Sequence, residues 1–489
     1  MLQTVNHQIK NFKNVLGKFS PRQNLLYGFI AYIILGSLLL SLPIFHKQSA
    51  SILDHIFTST SAASTTGLIT ISVFDTYTFW GQFIIMLLFQ VGGIGYLTFT
   101  TFVILSTTNN ITNWHKKIIS TEFSVPKNIR IKDFLKSVIA FTLTMEGVGA
   151  LFLYFAFKNN GMATLEAIWS AIFHSISAFC TAGFSLYNNS FADFSSNGFV
   201  NIIISILSIA GALGFIVITD LGLRIKHRDH KLSFTSRIIL IGFALLLTVG
   251  TTFIYFFEPV VANLTGSTRF LAAFFQSMTA MTTVGFNTVN VGSFSSAIIL
   301  VCIFLMYVGA SPSGTAGGIK ITTLFTAFAV LRSRLKGQKT VTFFNNKIPE
   351  KRISIATSAF IFYTTLIALG TFAITLTNDF NFKSIFFEVA SALGTVGLTM
   401  GITQDLNTFG KLIIILLMFI GRLGVVTFGL AVWAKSKAED NQDESEKKNK
   451  DKDKKGEDED LNQNEEEGDN NMEDDADDEV DDEDDIAVE

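Results

Sequence analysis

Four short segments of this chain share one design: Thr65-Thr66-Gly67, Thr181-Ala182-Gly183, Thr283-Val284-Gly285 and Thr395-Val396-Gly397. Each follows a stretch rich in Phe, Ser, Ala and Leu. A Thr-x-Gly turn behind a short helix is a way to aim backbone carbonyls at a cation that has shed its water. Replacing the hydration shell of K⁺ takes oxygen ligands at close quarters, and the carbonyls of an extended turn supply them. Glycine admits the φ values that turn successive carbonyls to one side and lets neighbouring strands approach closely. The threonine adds a hydroxyl, as a ligand or as a tie between the turn and its helix. A helix ending near the membrane midplane also presents its negative dipole end to the cation. One such turn alone reads as an ordinary helix C-cap; four of them are enough to close a ring around an axis.

Two further features carry chemistry. Arg422 lies in Met418-Phe419-Ile420-Gly421-Arg422-Leu423-Gly424, with apolar sequence on both sides. A charge at membrane depth costs roughly 2.5–3.5 kcal/mol even on a mild insertion scale, so such residues face a cavity or a partner. Below a ring of carbonyls, a fixed positive charge would restrain leakage of cations. The residues Gly309, Ala310, Ser311, Pro312, Ser313, Gly314, Thr315, Ala316, Gly317 and Gly318 interrupt another apolar segment with a run too small and Gly-rich to hold a helix. Broken backbone at that depth is tolerated only where protein buries it or water reaches it. This predicts a pore-lining loop, with Lys320 placed to help hold it.

Other residues read as structural. Small residues recur in Gly92-Gly93-Ile94-Gly95, Gly211-Ala212-Leu213-Gly214, Gly317-Gly318 and Gly421-Arg422-Leu423-Gly424, a pattern of close helix packing. Glu146, His174 and Asp220 lie in or at the ends of apolar segments; His174 reads as a satisfied half-helix residue and Asp220 as a partner for Arg224. Asn287 and Asp405, downstream of turns, read as solvated loop residues. With no P-loop, nucleophile elbow or His/Cys metal spacing, the sequence predicts no enzyme, no covalently bound cofactor and no nucleic-acid partner.

The elements that must position these residues are membrane spans. Of 489 residues, 49% are hydrophobic and only 16% charged, against about a quarter charged in average soluble domains. A span takes about 20 apolar residues, and such segments fall near 24–45, 79–108, 133–157, 197–222, 234–258, 294–330, 353–377 and 406–434. Shorter segments at 53–64, 166–181, 268–283 and 383–395 read as re-entrant half-helices. The expected fold class is an all-α integral membrane protein: four tandem helix, pore half-helix, helix repeats, giving eight transmembrane helices around one pore. The expected divisions are a cytoplasmic N-terminal segment 1–23, repeats 24–114, 115–223, 224–336 and 337–436, and a disordered acidic tail 437–489. Only the third repeat is expected to be broken in its second helix, and only the fourth carries an arginine there.

Charge sets the orientation. Basic residues cluster between repeats: Lys116, Lys117, Lys127 and Arg130, then Arg224 to Arg237, then Arg332 to Arg352. By the positive-inside rule both termini are cytoplasmic and the half-helices enter from outside. Residues 439–489 hold 27 of the 41 acids but 6 of the 37 bases, a composition that gives disorder. Cys180 and Cys302 imply no disulfide framework, and the basic, amphipathic N-terminus lacks the features of a cleavable signal.

With four such units, a single glycine in each turn, a Gly/Ser-rich break in the third and an arginine in the fourth, the chain resembles the Ktr/Trk/HKT superfamily of potassium transporters. The resemblance covers about residues 20–436 and is greatest to the KtrB-type membrane subunit. It implies potassium uptake through a channel-like pore in a KcsA-like, pseudo-fourfold arrangement. K⁺ would be held at filter carbonyls around Gly67, Gly183, Gly285 and Gly397, above a gate formed by residues 309–318 and Arg422. It implies a homodimer in the plasma membrane and a cytoplasmic, KtrA-like ring of RCK-type subunits where nucleotide binds, often with Na⁺ dependence. The acidic tail departs from KtrB-type chains, which usually end soon after the last helix. A Na⁺-permeable, HKT-like transporter is an alternative, although some of those relatives place Ser at one filter glycine and this chain has four glycines. A secondary transporter of another solute would be built on inverted repeats, whereas these four run in the same orientation.

Overall fold

The computed structural model describes residues 21–95, 131–227, 229, 231–309, 311–338, 340–344 and 346–432. The chain divides into two units, and the described residues belong to Pro21–Trp433; Met1–Ser20 and Ala434–Glu489 make up the other. The acidic tail, the basic N-terminus, the connection bearing Lys116 to Arg130 and the loop residue Ala310 lie outside the described residues.

One order of elements recurs four times. It first runs from α1 (Pro21–Leu40) through the short α2 (Ile52–Ala63) to α3 (Phe79–Ile94). The second passage comprises α4 (Ile131–Asn159), short α5 (Thr164–Phe179) and α6 (Gly198–Lys226). The third holds α7 (Phe234–Phe257), short α8 (Gly266–Thr282), α9 (Ser296–Tyr307) and, after a loop, α10 (Ile321–Leu335). The fourth holds α11 (Glu350–Thr375), short α12 (Phe382–Leu393), α13 (Thr408–Leu423) and α14 (Val425–Val432). At 1.5 Å per residue the four short helices reach roughly 18–26 Å, less than the ~30 Å hydrocarbon core. Among the described residues, α1, α4, α6, α7 and α11 are long and apolar enough to cross a bilayer, and the bent pair α13–α14 would make a sixth crossing.

Polarity is arranged for lipid outside and a polar interior. Large apolar side chains face outward on the helices that flank the four short ones, as at Leu38, Leu300 and Phe372, each 63% exposed. The hydroxyls of Thr58, Ser59, Thr60, Ser61, Ser177, Thr279 and Ser391, all on the short helices, are buried instead. In water the large apolar groups would be covered and the hydroxyls exposed; a hydrocarbon surround removes that preference and pushes polar groups to the interior.

The four units pack in cyclic order. Asn188 donates to Asp75 at 2.9 Å and Trp169 to Gln82 at 2.9 Å, joining the first unit to the second. Backbone and side-chain bonds between Ser190–Phe191 and Asn287 join the second to the third. Tyr307 stands edge-on to Tyr363 at 4.7 Å and bonds the Thr364 hydroxyl at 2.6 Å, joining the third to the fourth. The circle closes where Lys411 on α13 meets Asp54 on α2 at 2.9 Å and Phe419 stacks on Phe29 of α1 at 5.5 Å.

The expectation of one broken second helix is corrected by the structure. The second helix is interrupted in the second and fourth units as well as the third: α6 kinks at Gly214 (φ 78°), and α13 gives way at Gly424 (φ 80°) to α14, bent away by 100°; in the first unit α3 ends at Gly95 (φ 90°), where the described residues stop. Each of these glycines lies three residues after another glycine, Gly92, Gly211 or Gly421. A left-handed glycine ends an α-helix cheaply, because it carries no Cβ to oppose the turn. The last apolar segment, expected to run through 406–434, is therefore two helices, and Arg422 sits in the final turn of the first of them.

Candidate functional site

The short helices deliver four turns of one backbone conformation. Thr65, Thr181, Thr283 and Thr395 are all left-handed, with φ of 52°, 50°, 57° and 48°, and each is followed two residues later by a positive-φ glycine. A β-branched residue is rarely found there, and such strain costs on the order of 1–3 kcal/mol per site. Hydrogen bonds hold it in place. The residue between Thr and Gly donates its N–H five residues back, to the carbonyl of Ser61, Ser177, Thr279 or Ser391, at 2.8–3.2 Å. The Ser61 and Ser391 hydroxyls also accept the N–H of Gly67 and Gly397, and the Ser177 hydroxyl donates to Phe184 O. Sequence reasoning passed over these four hydroxyl residues; the signal was a Ser or Thr four places before every turn threonine.

The turns meet head to tail. A side-chain carbon placed on Gly67 would strike the Ala182 carbonyl; one on Gly183 would strike Val284 O, one on Gly285 Val396 O, and one on Gly397 Thr66 O. Each glycine thus faces the carbonyl of the residue before the next glycine, and the fourth returns to the first. Only a residue without a Cβ allows this closure, independently of its positive φ.

The loops leaving the ring are anchored by a polar residue seven places before three of the threonines. His174 Nε2 accepts from Leu186 N at 3.2 Å and stands 3.1 Å from Ser185 Oγ; Gln276 donates to Val289 O at 3.4 Å; Glu388 accepts from Thr399 at 2.8 Å and also contacts Thr403. Asn287 donates to Val289 O, and Asp405 is exposed. At the start of α2, Ser51 is the N-cap: its hydroxyl accepts the Asp54 N–H and donates to the Asp54 carboxylate. Partial burial opposes ionisation of Asp54, but hydrogen bonds from Ser51 and Lys411 outweigh it and hold its carboxyl below the usual carboxylate range.

On the other side of the ring lie the breaks. Gly92, Gly211 and Gly421 pack against the last carbonyls of their own short helices, at Ala63, Phe179 and Leu393, where any side chain would collide. The small-residue pattern is close packing, as its spacing suggested, but of a helix on a half-helix end. In the third unit the matching glycine is Gly309, which lies 24 residues past Gly285 as Gly421 lies 24 past Gly397; Gly317-Gly318 belongs to the loop. Val308–Gly309 pairs in parallel with Ile319–Lys320, pinching residues 311–318 into an excursion between α9 and α10.

That excursion crosses to its neighbours. The kink at Gly214 leaves α6 carbonyls without intrahelical donors, and the loop supplies them: Ser311 N donates to Ala212 O and Thr315 N to Gly211 O, both at 3.1 Å. Phe215 N returns a bond to Ser313 O at 3.3 Å. Lys320 folds back on the carbonyls of Ala316 and Gly317, as expected of a residue that holds the loop. Arg422 donates to Thr315 O at 2.6 Å, Thr65 Oγ1 at 3.1 Å and Gly93 O at 3.2 Å, and also bonds Gly92 O. The arginine of the fourth unit therefore spans from the loop of the third to the end of α3 in the first.

Behind the second turn, Gln90 donates to Glu146 at 2.9 Å and the Cys180 thiol contacts both. Asp220 accepts the Ser233 N–H at 2.8 Å at the head of α7. Cys180 and Cys302 are free thiols, both buried.

A family model described as TrkH, cation transport protein, matches residues 22–443. The chain belongs to the TrkH cation transport family. Within that membership it is 33% identical over 429 residues to the Ktr system potassium uptake protein B of Bacillus subtilis (strain 168), covering 87% of this chain and 95% of the relative. It is 32% identical over 440 residues to the potassium/sodium uptake protein NtpJ of Enterococcus hirae, covering 88% and 96%. The crystal structure of the potassium transporter TrkH from Vibrio parahaemolyticus shares the fold, with a TM-score of 0.66 at 20% identity over 84% of each chain. The resemblance read from the four turns is thus to the right family, and it is a family of transport proteins rather than of enzymes.

Proposed function

We propose that this TrkH-family chain takes up potassium through a channel-like pore whose selectivity filter is the ring of four turns. The observation that carries this reading is the head-to-tail closure of Gly67, Gly183, Gly285 and Gly397 on one another's preceding carbonyls. Such a ring gathers backbone oxygens from four strands around one axis, where they replace the water of a monovalent cation. The eight spans, completed by α3 and α9, then surround one pore in pseudo-fourfold arrangement, with both termini cytoplasmic. The loop 309–318 and Arg422 are the gate, because together they bridge the space beneath the ring.

In this reading the protein is a multi-pass plasma-membrane subunit that pairs as a homodimer and is regulated by a cytoplasmic nucleotide-binding, RCK-type ring. The relatives named Ktr system proteins support such a system of components, and NtpJ, named for both potassium and sodium, supports a second reading in which Na⁺ also passes. Purified protein in liposomes should accumulate ⁸⁶Rb⁺ against a K⁺ gradient and do so far faster than ²²Na⁺. Equal rates would favour the second reading, and no cation flux in either direction would overturn both.

A further inference from the structure

Gln90, Glu146 and Cys180 form a triangle of polar groups inside the apolar wall behind the second turn. Gln90 Nε2 stands 2.9 Å from Glu146 Oε2, while Cys180 Sγ lies 3.5 Å from Gln90 Oε1 and 3.7 Å from Glu146 Oε1. Glu146 is 5% exposed and Cys180 is wholly buried. The corners come from three elements: Gln90 from α3, Glu146 from α4, and Cys180 from the C-cap of α5, directly before Thr181. Ser175 of α5 donates to Glu146 O at 2.7 Å, and the first and third units repeat that bond from Ser59 to Ile33 O and from Ser277 to Leu247 O. The place that Glu146 fills is therefore apolar in those two units, and the packing of a short helix on its neighbour does not require an acid there.

Each side of the triangle needs one proton between its two heavy atoms, because lone pairs that face each other repel. The Gln90 amide directs one N–H along its side, and the Cys180 thiol has a single hydrogen. With Glu146 as a carboxylate, which only accepts, three contacts share two protons and one side is left open. With Glu146 as the neutral acid the cycle closes: Gln90 N–H donates to Glu146 Oε2, the Glu146 O–H to Cys180 Sγ, and the Cys180 S–H to Gln90 Oε1. Turning the Gln90 amide over reverses the direction of the cycle without changing the count. A charge at membrane depth is costly, and a buried polar network is worth most when every member is satisfied.

We propose that Glu146 is an intramembrane proton-binding site, holding its proton as a neutral carboxylic acid, and that this proton closes the cycle that fixes Cys180 and with it the turn Thr181-Ala182-Gly183. Glu146 is then a positioning residue for one turn of the ring: it acts through Cys180 and touches no cation itself. The role in the ring rests on the filter reading above; the bound proton does not.

The proton is read directly by infrared spectroscopy of the full chain in liposomes. Subtracting the spectrum of a Glu146→Gln chain should leave the C=O stretch of a protonated carboxyl, above the amide bands, and no carboxylate bands. Carboxylate bands in that difference, as an ionised acid or one holding an alkali cation would give, would overturn the proposal. Two substitutions then test the positioning. Glu146→Leu, the residue type that the third unit carries at this place, keeps apolar packing but opens the cycle, and should lower the K⁺ over Na⁺ preference of ⁸⁶Rb⁺ uptake several-fold. Glu146→Gln brings an N–H donor beside its acceptor, can close the same cycle, and should restore most of that loss. Cys180→Ala added to Glu146→Leu should cost no more than either change alone, because the cycle is already open. A Glu146→Gln chain as impaired as Glu146→Leu, or an unaltered preference in Glu146→Leu, would end the positioning role. Flux through the unsubstituted chain separates the readings: no ⁸⁶Rb⁺ uptake at all sinks the filter reading, while the infrared difference still decides the proton.

Discussion

Two layers of this molecule are built from the same four units and differ in how evenly they use them. In the layer of the turns, four threonines share one left-handed conformation, four N–H groups reach five residues back, and four glycines close on the next unit's carbonyl. In the layer of the breaks the contributions are unequal. The first and second units supply carbonyls left open by the end of α3 at Gly95 and the kink at Gly214, while the third and fourth supply the loop and Arg422 that bind them. In the function proposed above, coordination of a cation at an axis rewards equal ligands, and a gate needs one part that moves and another that receives it. The lesson is that backbone geometry repeats where the task is symmetric, and side chains diverge where it is not.

The largest effect should come from breaking the even layer at one point. Gly285→Ser puts a Cβ against Val396 O on a backbone at φ 82°, so the turn must move and the ring opens. The K⁺ over Na⁺ preference, read from competition of the two ions in ⁸⁶Rb⁺ uptake, should fall at least about tenfold, equivalent to about 1.4 kcal/mol of discrimination. Unchanged preference would remove the ring from any role in selection.

Next in size is a break in the uneven layer. Arg422→Ala deletes donors to Gly92 O, Gly93 O, Thr315 O and Thr65 at once. Hydrogen bonds to charged groups contribute about 1.5–3 kcal/mol each, so basal flux without a regulatory partner should rise about tenfold or more while ion preference holds. Arg422→Lys should recover only part of the closure, since an ammonium lacks the planar fork that reaches several carbonyls. Flux unchanged in both variants would leave the arginine without a part in closure.

A smaller change separates support from ligand. Ser391→Ala removes the hydroxyl that accepts the Gly397 N–H, costing about 1 kcal/mol. Ion preference should erode several-fold less than in Gly285→Ser, with basal flux unaltered. The smallest belongs to the seam: Lys411→Met breaks the Asp54 contact, whose partners are 16% and 13% exposed, and should lower thermal stability by about 1 kcal/mol or less without touching preference. A change in preference there would mean the seam sets the ring's diameter.

How much of this was legible in the sequence differs between the layers. The even layer was readable because its determinant is local: a Thr-x-Gly turn behind a short apolar helix needs only φ > 0 at glycine, and repetition made four copies stand out. Even there the hydroxyls of Ser61, Ser177 and Ser391 escaped notice, since a serine in a half-helix looks like any other small residue. The uneven layer was read only in part. Pro312 and the glycines around it marked a loop, and Arg422 an unusual charge, but the end of α3 at Gly95 and the breaks at Gly214 and Gly424 looked like uninterrupted apolar helix. An apolar run says nothing about where a helix bends when the glycine that bends it is also the residue that packs.

By itself, then, the sequence determined that the chain lives in lipid, that it repeats four times, and that four glycines stand where carbonyls can be gathered. Those follow from composition, period and the conformational freedom of single residues, all of which act within a few positions along the chain. Only the tertiary structure decided that Gly397 closes on Thr66 and that Arg422 reaches Thr65, 357 positions away. It also decided that the loop of the third unit docks on the kink of the second. Such pairings depend on where separate helices end in space, and no local propensity carries that information.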